Sequence, residues 1–211
     1  MKLIITRHGE TEENVAGIMQ GHLPGKLSAN GIKQAKKVAL RLKDEKFDFI
    51  YSSDLARAAN TAREIAKYHP NTSITFVKNL REKNLGEFEG KKKSDFGLDT
   101  KDQKATLIDI EPKEGETMEE IYKRAENFLH KIIRKHHNGS VLFVCHGGIG
   151  KALIAVITGK KHSEIKTVGK LQNASISIFE IDEDKNYKIV CYNCVKHLEG
   201  KKRSGASLEN K

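Results

Sequence analysis

Apolar positions along the chain follow two alternating patterns. Short uninterrupted apolar runs predict buried strands, and longer stretches with an apolar residue every three or four positions predict amphipathic helices. Their alternation is typical of an α/β protein, in which helices cover both faces of a mostly parallel sheet. The predicted strands span 3–5, 47–52, 73–77, 141–145, 175–181 and 187–195; the predicted helices span 28–44, 52–69, 117–137 and the stretch after 148 up to 157.

Local signals mark where some of these elements begin and end. Ser28 is a predicted N-cap, and Thr117 with Glu120 has the spacing of a capping box. Between 78 and 112 the chain is rich in Lys and Gly without clear periodicity. A connection of that length predicts a functional loop or lid. The expected fold is a three-layer α/β/α sandwich.

Length and composition indicate one globular domain. The chain has 211 residues with 37% hydrophobic content, and domains commonly run to about 100–200 residues. We expect a single domain over 1–199 and a basic, disordered tail over 200–211. No apolar stretch approaches the roughly 20 residues that span a bilayer, and no secretory segment is evident. The expected location is the cytoplasm, without a membrane partner.

The net charge of +10 bears on partners rather than on the fold. A nucleic-acid partner is not favoured, because no zinc-finger, KH or RRM signature is present and aromatic residues make up only 6%. A positive field equally concentrates small anionic substrates. Cys191, Cys194 and His197 resemble half of a zinc site, but no second half has suitable spacing. We therefore expect no metal.

Polar side chains follow three of the predicted strands. Arg7 and His8 follow the first strand, Arg57 lies one helical turn beyond the second, and His146 with Gly147 follows the strand at 141–145. In parallel sheets, ligands bind beyond the carboxyl ends of the strands. Two arginines and two histidines at one edge predict an anion site, because guanidinium forks match phosphate and glycines allow backbone N–H groups to approach.

The chemistry available at such a site is limited. The chain has no Walker loop and no carboxylate cluster for Mg²⁺. A phosphate site of this kind needs a nucleophile from the protein, and a neutral histidine is suited to that task. The leaving alcohol needs a proton donor, for which Glu82, Glu87 and Glu89 are candidates. The residues alone leave the choice among these three acids open.

Four motifs in order, TRHGET, SSDLARAANTA, LREKNLGEFEG and VCHGG, resemble those of the histidine phosphatase superfamily, the phosphoglycerate-mutase-like proteins. The similarity extends over nearly the whole chain except the tail. The resemblance implies a phosphoglycerate-mutase-like fold and a metal-independent phosphatase working through a phosphohistidine, with no cofactor and a small phosphorylated metabolite as substrate. The residues it implies are His8 as nucleophile, Arg7, Arg57 and His146 in the phosphate pocket, Glu82 as proton donor, and Asn14, Gln20, Gly21 and the Gly147 N–H as further substrate contacts.

Departures from the family pattern favour the phosphatase branch. Cofactor-dependent mutases carry a longer insertion rich in Arg and Trp after the acid motif, whereas this chain has a short segment with lysines and no Trp. The sequence LPGKLS replaces the familiar PLT before the first long helix, so loop contacts there are left open. A phosphoglycerate mutase and a non-catalytic phosphate- or nucleic-acid-binding protein stay as alternatives, and a homodimer stays open.

Overall fold

Six strands form the centre of the molecule. A computed structural model describes residues 1–96, 111–184 and 186–199 of the chain. The strands are β1 (Lys2–Arg7), β2 (Phe49–Ser53), β3 (Ile74–Val77), β4 (Ser140–Cys145), β5 (Ile176–Ile181) and β6 (Tyr187–Cys194). Each of the six predicted strands is confirmed, with ends that differ by at most a few residues.

The sheet is mixed but mainly parallel at its centre. The strands lie in the order β3-β2-β4-β1-β5-β6. The pairs β3–β2, β2–β4 and β4–β1 are parallel, whereas β5 is antiparallel to both β1 and β6. The carboxyl ends of β2, β4 and β1 therefore lie side by side. This edge is where the sequence places its polar side chains.

Five α-helices accompany the strands within the described residues. They are α1 (Glu12–Val15), α2 (Ala29–Leu42), α3 (Ala56–Ala66), α4 (Met118–Lys135) and α5 (Gly147–Ile157). Ser28 caps α2, and the Thr117–Glu120 capping box is present at the start of α4, as predicted. The one-turn helix α1 was not predicted; Thr11 caps it by accepting a hydrogen bond from the Asn14 N–H.

The two faces of the sheet bury separate apolar clusters. On β1, Leu3 and Ile5 pack with α4 and α5, while Ile4 packs with α2 and α3. On β4, Phe143 lies in the first cluster and Leu142 in the second. Burial of both faces explains the uninterrupted apolar runs, because each such side chain stabilises the fold by about 1.5–3 kcal/mol. The predicted three-layer α/β/α sandwich is confirmed.

The predicted irregular region contains short turns of 3₁₀-helix at Lys78–Leu80, Gly86–Phe88 and Lys93–Phe96. Its residues 97–110, and the tail predicted over 200–211, lie outside the described residues. The helix predicted from 52 begins later, at Ala56, because Ser53 continues the strand and Asp54 pairs with Arg81 instead of capping. Among the described residues no helix has the length and apolar character to span a membrane.

Candidate active site

Three strands bring four of the predicted residues to one pocket. Arg7 is the last residue of β1 and pairs in register with Cys145 of β4, so His8 and His146 follow on neighbouring strands. Their ring centroids are 5.1 Å apart. On the other side of β4, β2 leads into α3, which carries Arg57. The Arg57 Nε donates a hydrogen bond to His146 Nδ1 over 3.1 Å.

Backbone contacts fix the tautomer of His8. Its Nδ1 lies 2.7 Å from the Gly9 carbonyl oxygen, which can only accept a hydrogen bond. Nδ1 therefore carries the proton, and in the neutral ring the lone pair lies on Nε2. The main chain on either side is held as well, since the His8 N–H donates to the Cys145 carbonyl and the Gly9 N–H donates to Thr61 Oγ1.

Electrostatics keep the His8 ring neutral. Burial, followed by the charges of Arg57 and Arg7, lowers the pKa of His8 well below its usual value of about 6.5. Only 2% of the residue is exposed. A ring that resists protonation and holds a defined lone pair has the two properties that a nitrogen nucleophile needs.

Arg57 is a buried cation held mainly by carbonyl groups. Its guanidinium donates to the carbonyls of Leu23, at 2.5 Å, and Gly21, at 2.8 Å, and no carboxylate among the described residues lies within 4 Å. Burial lowers the pKa of Arg57 to about 10, so it stays charged at neutral pH. A buried charge is costly without an opposite charge. Its surroundings therefore favour an anionic ligand.

His146 has both ring nitrogens engaged by protein groups. Since Nδ1 accepts from Arg57, Nε2 carries the proton and donates to Ser53 Oγ over 2.8 Å. Burial, followed by the charge of Arg57, lowers the pKa of His146 well below its usual value. The ring can donate from Nδ1 to a phosphoryl oxygen only if Arg57 turns away and Nδ1 gains a proton.

Arg7 brings a second guanidinium group to the site. One Nη1–H donates to the Leu171 carbonyl at 2.7 Å, while the buried Nε has no hydrogen-bond partner among the described residues. Burial lowers the pKa of Arg7, and the nearby carboxylate of Glu82 partly offsets that effect. A guanidinium with an unpaired buried N–H offers a donor to an anion in the pocket.

The carboxylate of Glu82 lies at the N-terminus of α5. Its oxygens accept hydrogen bonds from the backbone N–H groups of Gly148 and Ile149, each 3.1 Å away. The α-carbon of Gly147 faces both Glu82 and Arg7, because a Cβ built there would lie 3.7 Å from Glu82 Oε2 and from Arg7 Nε. Glu82 thus occupies the same pocket as the arginines.

The predicted acids other than Glu82 lie elsewhere. Glu89 Oε1 accepts hydrogen bonds from the backbone N–H groups of His22 and Leu85, and so links two loop segments. Glu87 accepts a long hydrogen bond from the Lys113 N–H on the surface. Of the three candidates, Glu82 is the one whose carboxylate contacts the N-terminus of α5, directly after His146.

Asn14, Gly21 and Gln20, which are also predicted substrate contacts, lie next to other residues of the site. Asn14 turns its Oδ1 towards the Thr11 N–H and Asn173, so its amide N–H groups point away from these partners. The Gly21 carbonyl holds Arg57. Gln20 is buried with its Oε1 unpaired among the described residues, next to Gly25 and the Arg57 side chain.

Several residues of the site were given no role from the sequence. Ser53 fixes His146, Thr61 receives the Gly9 N–H and donates to the Arg57 carbonyl, and Asn173 donates to the His8 carbonyl. Thr61 lies in the SSDLARAANTA motif, four residues after Arg57. That spacing places the two residues on the same face of a helix and could have indicated that they interact. Asn173 lies far along the chain from His8, and no local pattern indicates its role.

The structure offers no metal-binding cluster of three or more His, Cys, Asp or Glu side chains within the described residues. Cys191 and Cys194 lie on β6, on either side of an irregularity in its pairing with β5. His197 instead bonds the Ala174 carbonyl through Nε2, at 3.0 Å. Among the described residues, Cys191, Cys194 and His197 are not brought together as a three-residue cluster.

Comparison with known proteins identifies the family. The family model of the histidine phosphatase superfamily (branch 1) matches residues 3–195. The chain belongs to the histidine phosphatase superfamily. It is 33% identical over 204 residues to a metal-independent phosphoserine phosphatase of Arabidopsis thaliana, covering 93% of this chain and 83% of that one. It is 32% identical over 205 residues to phosphoglycerate mutase-like protein 4 of the same plant, covering 94% and 87%.

This histidine phosphatase also resembles solved structures. A mycobacterial glucosyl-3-phosphoglycerate phosphatase, solved with VO3, superposes with a TM-score of 0.83 at 25% identity, covering 92% of this chain and 99% of that one. The family and its phosphatase members establish the chain as a phosphoric monoester hydrolase with a phosphoglycerate-mutase-like fold. The expectations drawn from the resemblance on these two points are confirmed.

Proposed function

We propose that this enzyme hydrolyses small phosphomonoesters in two steps through a phosphate group on His8. The observation that carries the proposal is the His8 ring, neutral and with its lone pair on Nε2, beside the buried guanidinium of Arg57 and the partly buried guanidinium of Arg7. In the first step Nε2 attacks phosphorus in line. Arg7, Arg57 and His146 stabilise the charge on the equatorial oxygens, and the bond to the ester oxygen breaks.

Glu82 transfers the protons in both steps. As a carboxylic acid it gives its proton to the leaving oxygen in the first step, so that a neutral alcohol departs. As a carboxylate it then removes a proton from the water that attacks phospho-His8, which releases phosphate and restores the free ring. Its place beside Gly148 and Arg7 supports this role. The Asn14 amide, Gln20, the Gly21 backbone and the Gly147 N–H are proposed as further substrate contacts.

The phosphatase activity is favoured over the mutase alternative. A mutase must hold its product long enough to return the phosphoryl group, whereas hydrolysis needs water and a base at phospho-His8. Relatives named as phosphoserine phosphatases, with 33% and 32% identity over nearly the whole chain, support hydrolysis. We propose a phosphorylated metabolite of similar size, with O-phosphoserine as the first candidate.

Four further expectations stay proposals. Residues 1–199 are proposed to act as one domain in the cytoplasm, without a cofactor. A homodimer is supported by apolar side chains exposed along the edge strand β6, namely Tyr187, Ile189, Val190 and Tyr192. Light scattering coupled to gel filtration measures the oligomeric state directly. A mass of one chain at micromolar concentration would contradict the dimer.

A substrate screen tests the proposed function. The wild-type enzyme should release phosphate from members of a panel of phosphorylated metabolites, and exhaustive chelation should leave that activity unchanged. His8→Asn should lose it by at least about 10³-fold, because the substitution removes the proposed nucleophile. The panel includes 3-phosphoglycerate with a bisphosphate primer. Conversion to 2-phosphoglycerate faster than phosphate release would instead identify a mutase, and turnover by His8→Asn would exclude the proposed nucleophile.

A further inference from the structure

Arg124, on the second turn of α4, donates hydrogen bonds to the main chain of the segment that carries Glu82. Its Nη1 donates to the carbonyls of Asn79, at 2.8 Å, and Arg81, at 2.9 Å, and its Nη2 donates to the Glu82 carbonyl, at 3.2 Å. Three backbone acceptors within four residues thus converge on one side chain. The segment they belong to runs from the 3₁₀-helix at Lys78–Leu80 into residues without regular structure, which include Glu82.

The other side of the guanidinium is held by Glu116. Arg124 Nε and Nη2 donate to the two carboxylate oxygens of Glu116, each over 2.6 Å. All five N–H groups of the arginine therefore have acceptors. Both side chains are shielded, with exposures of 19% and 14%, and a bidentate pair in such surroundings is better ordered than an exposed one.

Glu116 forms hydrogen bonds to the same segment, on the C-terminal side of Glu82. Its Oε2 accepts a hydrogen bond from the Asn84 N–H at 3.2 Å, and its own N–H donates to the Asn84 carbonyl at 2.9 Å. The backbone on both sides of Glu82 is thus tied to a single ion pair. That pair is anchored to α4, whose apolar stripe packs in the core with Ile121 and Ala125 on either side of Arg124.

We propose that Arg124 and Glu116 are positioning residues for the proton transfers of Glu82. They act through the backbone rather than on substrate, and the proposal rests on the role of Glu82 given above. The Glu82 carboxylate accepts a hydrogen bond at the N-terminus of α5, while its main-chain carbonyl accepts one from Arg124 on α4. Its distance from the leaving oxygen is therefore set by two helices. A shift of about 1 Å in such a group can cost on the order of 100-fold in rate.

Leaving-group dependence separates positioning of the acid from general destabilisation. An alkoxide needs a proton as it departs, whereas 4-nitrophenolate departs readily without one. Benzyl phosphate and 4-nitrophenyl phosphate have similar size but differ in this requirement. Loss of a well-placed general acid should therefore lower kcat/KM for the benzyl ester selectively, and kcat/KM reports the step in which the ester bond breaks.

The variants are Arg124→Lys, which keeps the charge but cannot reach three carbonyls and a carboxylate, and Glu116→Gln, which weakens the pair. Glu82→Gln provides the reference for loss of the acid. Arg134→Lys is the matched control, because Arg134 is exposed on the last turn of the same helix. Thermal melting of each protein shows whether it is folded at the assay temperature. If Arg124→Lys is unfolded, Glu116→Gln carries the test.

We expect Glu82→Gln to lower kcat/KM for benzyl phosphate by about 100-fold or more. Arg124→Lys and Glu116→Gln should lower kcat/KM for benzyl phosphate by about tenfold or more. Their kcat/KM for 4-nitrophenyl phosphate should change by less than about threefold. Arg134→Lys should match the wild type on both. If the Arg124 and Glu116 variants lose kcat/KM equally on the two esters, or not at all, the inference is wrong. The proposed function still stands in that case, provided that Glu82→Gln lowers kcat/KM selectively for the benzyl ester. A non-selective Glu82→Gln would remove both.

Discussion

Acid should destabilise this enzyme in part through the proposed nucleophile, His8. His8 is buried beside Arg57 and Arg7, and its pKa in the folded protein lies well below the usual value of about 6.5. As pH falls through about 6.5, the unfolded chain takes up a proton at this position and the folded chain does not. Stability then falls with pH, because the unfolded state binds more protons.

As long as the His8 ring stays neutral in the folded protein, the loss of unfolding free energy depends only on the pKa of His8 in the unfolded chain. Between pH 7.5 and pH 5.0 one such histidine costs about 2 kcal/mol of unfolding free energy, at up to about 1.4 kcal/mol per pH unit. His146 contributes in the same direction, and His69, His136 and His197 also have lowered pKa values. The total slope is therefore shared among several rings.

Replacing His8 with Asn isolates its share. The shorter amide can still donate to the Gly9 carbonyl, and it does not titrate. Urea unfolding at pH 7.5, 6.0 and 5.0, without phosphate or sulfate and at constant ionic strength, gives the free energy of each protein. Between the extremes the wild type should lose about 2 kcal/mol more than His8→Asn. Equal losses would show that the folded ring protonates normally and would refute the electrostatic account of the site.

Three further changes probe the supporting contacts. Ser53→Ala leaves the buried Nε2–H of His146 without its acceptor; the urea-derived unfolding free energy should fall by about 1–3 kcal/mol, and less in Ser53→Thr. Gly148→Ala places a methyl group 2.4 Å from Glu82 Oε1, so turnover of benzyl phosphate should fall at least about tenfold, and unchanged turnover would contradict the placement of Glu82. Burial raises the pKa of Cys145 to about 12, so iodoacetamide at pH 8 should leave it unlabelled by mass spectrometry unless the protein is unfolded.

The sequence was informative wherever function and secondary structure coincide locally. His8 and His146 follow directly after apolar runs, and the rule that ligands bind beyond the carboxyl ends of parallel strands brings them together. Both runs lack alternation because the strands are covered on both faces, which also indicates their central position. The strand bounds and the edge that carries the site therefore follow from short stretches of chain.

The supporting contacts could not be predicted in this way. Arg124 reads as an ordinary polar position of an amphipathic helix, and its partners Asn79 and Glu82 lie more than 40 positions earlier in the chain. Asn173 meets the His8 carbonyl across 165 positions. Such bonds depend on how a loop without periodicity folds back onto the sheet, and no hydrophobic pattern encodes that path.

The choice of Glu82 over its neighbours shows the same limit. The residues alone offered three acids within eight positions, and the family resemblance selected one. The structure distinguishes them by environment: Glu89 bonds the backbone of two loops, Glu87 is on the surface, and Glu82 meets the N-terminus of α5. Its assignment as the proton donor stays a proposal until the variant is assayed.

Direct detection of the phosphorylated enzyme tests the central claim. Enzyme mixed with excess 4-nitrophenyl phosphate, quenched in alkali within milliseconds and digested, should yield one phosphorylated peptide that contains His8. Because Nδ1 donates to the Gly9 carbonyl, the phosphate should lie on Nε2, and acid should remove it. The peptide should be unmodified in His8→Asn. A stable adduct on another residue, phosphate on Nδ1, or no adduct during a burst of nitrophenol would contradict the account.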